Sequence, residues 1–161
     1  MPVLPALPLF DELLGKPLVA SLATFNPDAT VHVVAIWFLR DGNDLLMGTN
    51  AGSRKARNLA RDPRATVMVH DSRGGIDVCG VTLIGSATIV PPPTSLQLNE
   101  RVHQQYVTER GLVTESVAEF FTGDDVTIRF TAERWSSWDE RETAAGQALR
   151  ESGDYYLWPP R

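Results

Sequence analysis

Cysteine is almost missing: Cys79 is the single one among 161 residues. No internal disulfide can form, a composition that suits a reducing compartment. Metal ligands are equally scarce, because His32, His70 and His103 fall in three separate segments and no Cys/His spacing of a zinc site occurs. No apolar run approaches the roughly 20 residues of a membrane-spanning helix. The opening MPVLPALPLFDELL has no Lys or Arg ahead of Asp11 and Glu12, and Pro2, Pro5 and Pro8 interrupt it, so it does not read as a secretory signal. These absences lead us to expect a cytoplasmic protein with no membrane partner. Also missing are GxGxxG, the GxxxxGK phosphate loop and the GxSxG nucleophile elbow, which excludes the common Rossmann, P-loop and α/β-hydrolase signatures.

Basic residues are the minority, 15 Lys and Arg against 20 Asp and Glu, for a net charge of −5. A broad basic surface for nucleic acid is therefore not expected. The hydrophobic share of 43% and charged share of 22% are ordinary for a globular chain. At this length about two thirds of the unfolded surface can be buried without staples, and residues 1–161 read as one domain.

What basic charge there is sits in one place. AGSRKARNLARDPR, residues 51–64, carries Arg54, Lys55, Arg57, Arg61 and Arg64 against Asp62, a local +4 that leaves −9 for the rest. A compact basic spot on an acidic chain suits a small anion such as one phosphate group; a solvated helix face is the plainer alternative.

The first 90 residues read as strands joined by tight turns. PLVASLATF (17–25) and TVHVVAIWFL (30–39) flank the turn NPDA and form a hairpin, and DLLMGT (44–49) follows Asp41-Gly42. Residues 53–62 change to a helical period, with Asn50 or Ser53 as cap, Ala56, Leu59 and Ala60 facing inward and Pro63 as stop. Strands resume at 65–71 and 77–90, the latter with Gly80 and Gly85 where a barrel strand would bend. Residues 94–121 look helical, capped by Thr94 or Ser95, with a stripe of Leu96, Val102, Tyr106 and Val107, a stop at Gly111 and a second short helix holding Phe120 and Phe121. A final strand spans 126–138, and in the extension 139–161 ERETAAGQALRE is helix-compatible. The expected class is mainly β with helices (α+β), an antiparallel barrel without βαβ rhythm.

The strongest chemical signal is TNAGSRKARNL, residues 49–59. A strand end and two small residues lead into a helix whose first turn carries Arg54 and Lys55, so free amide N–H groups, the helix dipole and side-chain charge all favour an anion there. Cations at a helix start oppose the dipole by a few tenths of a kcal/mol unless an anion offsets them.

The order VxVxxIWFLRDGNDLLMGTN followed by SRKARNLARDPRATVMV resembles the split β-barrel flavin and deazaflavin oxidoreductases related to pyridoxamine 5'-phosphate oxidase. The run Lys55, Asn58, Leu59, Asp62, Pro63 carries the likeness, which covers residues 10–90 well and 124–138 loosely within a barrel core of about 10–138. The resemblance implies that a cofactor phosphate sits on Ser53, Arg54 and Lys55 with Thr49, near Asn58, while the ring lies against Val33, Ala35 and Trp37. It implies bound F(420) or FMN, hydride transfer to or from a small organic substrate, and a homodimer with cofactor sites at the interface, which Trp135 or Trp138 would reach across. F(420), with its long anionic tail, would use several basic groups where FMN offers one phosphate. Such a cofactor moves hydride through its own ring, so no acid/base dyad is required. Alternatively the same fold carries flavin, deazaflavin or haem without turnover, His70 or His103 being the first candidates for an axial ligand.

The remaining residues have plainer readings. His32, alternating with Val31 and Val33, reads as a strand residue on the polar face, His70 as a residue beside Asp71 and the glycine loop for which a pocket role is the lesser alternative, and Cys79 as a small buried side chain. Trp37, Trp135, Trp138 and Trp158 would fill the core or line a planar pocket.

Overall fold

The computed structural model describes residues 4–73, 77–114 and 125–153. Alternating β-branched and polar residues, punctuated by Asn-Pro-Asp-Ala and Asp-Gly turns, set up one antiparallel sheet. Its strands are β1 (Val19–Phe25), β2 (Val31–Trp37), β3 (Leu39–Asp41), β4 (Asp44–Asn50), β5 (Arg64–Arg73), β6 (Asp77–Val90) and β7 (Asp125–Asp139), in the order β2-β1-β5-β6-β7-β4-β3. Five helices accompany it among the described residues: α1 (Pro8–Leu14), α2 (Arg54–Arg61), α3 (Thr94–Gln104), α4 (Glu109–Leu112) and α5 (Ala144–Ser152). The sheet curls into a half-barrel around the core.

Register shows which side of the sheet is the core. Leu22 of β1 lies opposite Val67 of β5, and Val67 opposite Leu83 of β6, all three fully buried. Each such side chain stabilises the fold by about 1.5–3 kcal/mol relative to exposure. The core side of the barrel is closed by α1, whose Phe10, Leu13 and Leu14 are fully buried with i, i+3, i+4 spacing. Pro8 opens that helix, where a missing N–H costs nothing; the three prolines had obscured it in the sequence. At the Ile84/Gly85 register shift a Cβ on Gly85 would lie 2.0 Å from the Thr131 carbonyl oxygen, so the bulge requires glycine.

Several expectations are corrected. The strand 30–39 is interrupted at Phe38, because the Tyr106 hydroxyl accepts the Phe38 N–H (3.1 Å) and donates to the Leu18 carbonyl (2.6 Å), replacing ladder bonds. Neither Thr94 nor Ser95 caps α3: Pro93 precedes it, and the Ser95 hydroxyl donates to the Asp125 carbonyl instead. Gly111 lies inside α4, which starts at the Thr108 cap. Ala60 faces solvent, and Asn58 takes a buried position beside Ala56 and Leu59. His32 sits on the same side of β2 as buried Ile36, opposite buried Thr24, while the valines Val31 and Val33 point outward, 56% and 60% exposed. The helix expected around Phe120 and Phe121, and Trp158, lie outside the described residues. No helix among the described residues is long and apolar enough to cross a membrane.

Candidate functional site

The site grows out of the β4–α2 junction. Asn50 ends β4 and its side-chain oxygen accepts the Gly52 N–H (2.8 Å), turning the chain into Ser53. Ser53 caps α2: its Oγ accepts the Ala56 N–H (3.3 Å) and the Thr49 hydroxyl (3.1 Å). With both acceptor positions used, the Ser53 O–H is left to donate. The amides of Arg54 and Lys55, at the first two helical positions, have no acceptor inside the helix.

Beside this junction lies a cleft of about 570 Å³. One wall is Val19, Ala35, Ile36 and Trp37; the floor is Gly48, Thr49 and Asn50; Asn99, Val102 and His103 of α3 form the other wall, with Lys55 and Asp125 at its polar end. The walls are held by packing and hydrogen bonds. The Trp37 indole stacks on Tyr106, centroids 4.6 Å apart, and meets the His103 ring edge-on at 5.6 Å. His103 Nδ1 is 2.7 Å from the Asn99 carbonyl, an acceptor that places the hydrogen on Nδ1. Asn99 is buried; its Oδ1 accepts the Thr127 hydroxyl (2.7 Å) and its amide donates to the Val126 carbonyl (3.3 Å). A Cβ on Gly48 would come within 3.0 Å of Asn99 Oδ1, so the floor there is glycine-thin.

Lys55 is the electrostatic centre of this cleft. It is half-buried, and it makes no hydrogen bond or ion pair to the described residues. Burial pushes its ammonium below the ordinary lysine range. A partly desolvated cation next to a donating hydroxyl and free helix N–H groups is a receptor for an anion.

The residues named from the sequence divide between locations. Ala35, Trp37, Thr49 and Lys55 line the cleft, and Ser53 borders it through Thr49. Val33 lies on the outward side of β2 beyond the cleft. Arg54 turns to a different hollow on the far side of α2, which Asn58 also lines; Asn58 is 2% exposed and donates to the Thr24 hydroxyl and the Asn26 side-chain oxygen, both at 3.1 Å. His70 lines neither cleft, and its buried Nδ1 has no hydrogen-bond partner among the described residues. Trp135 packs edge-on against Phe10 at 5.1 Å, and Trp138 covers Gly80. Cys79 is fully buried, with its thiol pushed up by burial. Among the described residues no group of His, Cys, Asp and Glu is arranged to hold a metal ion. The α3 wall was missed: Val102 and Tyr106 were visible as a stripe, but nothing in their spacing said which sheet edge they would face.

A family model described as pyridoxamine 5'-phosphate oxidase matches residues 7–139. The chain belongs to the pyridoxamine 5'-phosphate oxidase family. The half-barrel described above is the split β-barrel of that family. Among solved structures, a conserved hypothetical protein from Mycobacterium tuberculosis superposes with a TM-score of 0.70 at 28% identity, over 86% of this chain and 88% of that one. An F420 reductase superposes at 0.62 with 30% identity, over 78% of this chain and 94% of that one. HutZ, the haem storage protein from Vibrio cholerae, shares the fold at 0.65 and 16% identity, over 83% and 93% of the two chains. None of the curated proteins matches the chain.

Proposed function

We propose that this family member is an oxidoreductase that moves hydride between a bound flavin or deazaflavin and a small organic substrate. The observation that carries the reading is Lys55: a half-buried cation with no partner among the described residues, at the polar end of a cleft with an aromatic wall. Those residues fit a planar ring bearing a phosphate. Lys55, the Ser53 and Thr49 hydroxyls and the first amides of α2 would hold the phosphate, while Trp37, Ala35 and Val102 would flank the ring and keep water from it. When bound, the ring supplies the hydride chemistry, and the protein supplies orientation and a dry wall. Of the two cofactors, F(420) is supported by the 30% identity with an F420 reductase that is covered over 94% of its length.

The protein also acts as a homodimer in this reading. Val19, Val31 and Val33, 47%, 56% and 60% exposed, share the outward side of the sheet with Trp37, an apolar surface of the kind that marks an interface. Because Trp37 belongs to both that side and the cleft, a second copy seated there would border the cofactor.

Parallel titrations of ligand-free protein with F(420) and FMN, followed by cofactor fluorescence, test the cofactor. Saturable binding of either, lost in Lys55→Ala, supports the proposal. Binding of neither, or a Soret band on adding haem in its place, overturns it.

A further inference from the structure

Helix α3 brings one imidazole to the cleft. His103 stands in its last turn, 9% exposed, on the wall opposite Ala35 and Ile36. Two contacts fix the ring: Nδ1 lies 2.7 Å from the Asn99 carbonyl one turn back, and the Trp37 indole meets it edge-on at 5.6 Å. Both partners are themselves held. The Asn99 side chain is pinned by the Thr127 hydroxyl and the Val126 carbonyl, and Trp37 is stacked on Tyr106. With the Nδ1 hydrogen committed to a carbonyl, Nε2 is the nitrogen at which a proton is gained or given up. The last turn of a helix also accommodates positive charge, because its terminal carbonyls carry the negative end of the dipole.

The groups around His103 have other tasks. Among the described residues, the other ionisable side chains lining the cleft are Lys55 of α2, assigned above to an anion, and Asp125 of β7 at the polar end. Arg101, on the same helix, is paired with Asp41 at 2.9 Å. The Tyr106 hydroxyl donates to the Leu18 carbonyl (2.6 Å), and burial pushes its phenol above the ordinary range, so it is a poor source of protons.

We propose that His103 is the proton donor of this cleft, delivering a proton from Nε2 to a substrate with a polarised double bond as hydride arrives at the neighbouring carbon. The inference rests on the redox reading above. Hydride carries one proton with its electron pair, and saturating C=C, C=O or C=N takes one proton more. The Nε2–H bond breaks and leaves its electrons on the imidazole. The proton joins the atom next to the carbon that received hydride, and water restores the one on Nε2. The reductant is the two-electron-reduced flavin or deazaflavin of that reading. Storing a hydride in the cleft adds one negative charge there, and a negative charge beside an imidazole favours its protonated form. His103 is therefore charged with its proton in the state that is ready to react.

The test follows the histidines themselves by nitrogen NMR, in protein labelled with nitrogen-15 histidine and loaded with FMN or F(420). Only His32, His70 and His103 contribute, and His32→Gln and His70→Gln assign the signals by elimination, leaving His103 untouched. At about pH 7.5, above the ordinary histidine value, His103 should show the Nδ1–H tautomer with oxidised cofactor. Chemical reduction of the bound cofactor should raise the ratio of doubly to singly protonated His103 about tenfold. His103→Gln, whose amide can still donate to the Asn99 carbonyl, should bind the cofactor as wild type does. The reduction potential of the bound cofactor should fall with pH more steeply in wild type than in His103→Gln, by up to about 30 mV per pH unit, which is one proton per two electrons. Binding of neither cofactor removes the redox reading and this inference with it. Binding with a His103 whose protonation ignores reduction, equal slopes in wild type and His103→Gln, or loss of cofactor binding in His103→Gln would each overturn the inference and leave the redox reading standing.

Discussion

The Trp37 indole and the Tyr106 phenol ring lie parallel, their planes 2° apart and their centroids 4.6 Å apart. Through this stack a residue just beyond α3 fixes the aromatic wall of a cleft built from the sheet, and the phenol oxygen fixes the break between β2 and β3. Tyr106 therefore joins fold and site in one side chain.

Tyr106→Phe keeps the stack and removes the oxygen, leaving the Phe38 N–H and the Leu18 carbonyl without that partner. The expected loss is about 1–3 kcal/mol, the cost of an unsatisfied buried polar group. Tyr106→Leu adds the loss of the aromatic pair, roughly 0.5–1.5 kcal/mol more. Urea unfolding followed by tryptophan fluorescence checks both; equal stability of wild type and Tyr106→Phe would show that the β2–β3 break does not depend on the phenol.

Lys55→Ala separates binding from stability. Loss of a charge-assisted bond to phosphate lowers cofactor affinity by about 1–3 kcal/mol. Stability without ligand moves the other way or not at all. The folded-state pKa lies below the unfolded value because burial disfavours the ammonium. Lys55 thus destabilises the fold while charged, and this penalty is relieved as pH rises from its folded pKa toward 10.5. The variant lacks the penalty, so at pH 7 its denaturation midpoint equals or exceeds that of wild type. A lower midpoint in Lys55→Ala would point to a structural role for the lysine.

The strands, the α2 cap and the basic spot were legible in the sequence because each is local: a β-branched run, a Ser before a helical period, a charge count. Tertiary assignments were less so. Val31 and Val33 follow the same alternation as any half-buried strand, and only the sheet order shows that the valines, not His32, face outward. Arg54 and Lys55 are adjacent in the chain yet border different hollows about 100° apart around one helix, a division that a charge total cannot express. The α3 wall depended on Asn99 meeting Thr127 across 28 positions, for which one sequence carries no signal.

The outward valines have their own test. Val33→Glu places a charge at a position that makes no core contact in the monomer, so monomer stability should change by no more than about 0.5 kcal/mol. The same charge desolvated in an interface is costly. Sedimentation velocity should show a dimer for wild type and a shift toward monomer for the variant. A monomeric wild type at micromolar concentration would remove the dimer from the functional reading.

Arg141 bridges two parts of the chain: it donates to both Glu12 oxygens (3.0 and 3.1 Å) and to Asp139. Hydrogen bonding to this guanidinium is the largest cause holding each carboxyl below its ordinary value. Depressed carboxyl pKa values stabilise the folded state above the unfolded values, 4.5 and 3.8, and that contribution is lost as pH falls through the folded ones. Because these groups are about a third exposed, solvent limits the bridge to about 1 kcal/mol. Arg141→Met should accordingly be less stable than wild type at pH 7 and converge with it as pH falls below 3.8 and through the lowered folded-state values. Parallel stability curves across that range would assign the acid sensitivity to other carboxylates.

Gly85 sets the sharpest limit on the barrel. Its missing Cβ would sit 2.0 Å from the Thr131 carbonyl oxygen and 3.0 Å from the Ala132 Cα, both backbone atoms that no rotamer change can move. Gly85→Ala must therefore separate β6 from β7 at the register shift, at a cost of about 3 kcal/mol or more. Gly80→Ala meets the ring of Trp138 instead, at 2.2 Å, and a side chain can swing away. The expected order is a large loss for Gly85→Ala and a smaller one for Gly80→Ala, the latter with a change in near-ultraviolet circular dichroism as the indole leaves its place. Thermal unfolding of the two variants under one condition reads the difference. A Gly85→Ala protein as stable as wild type would mean that the two strands part there without loss, and that the bulge does not hold the barrel's curvature.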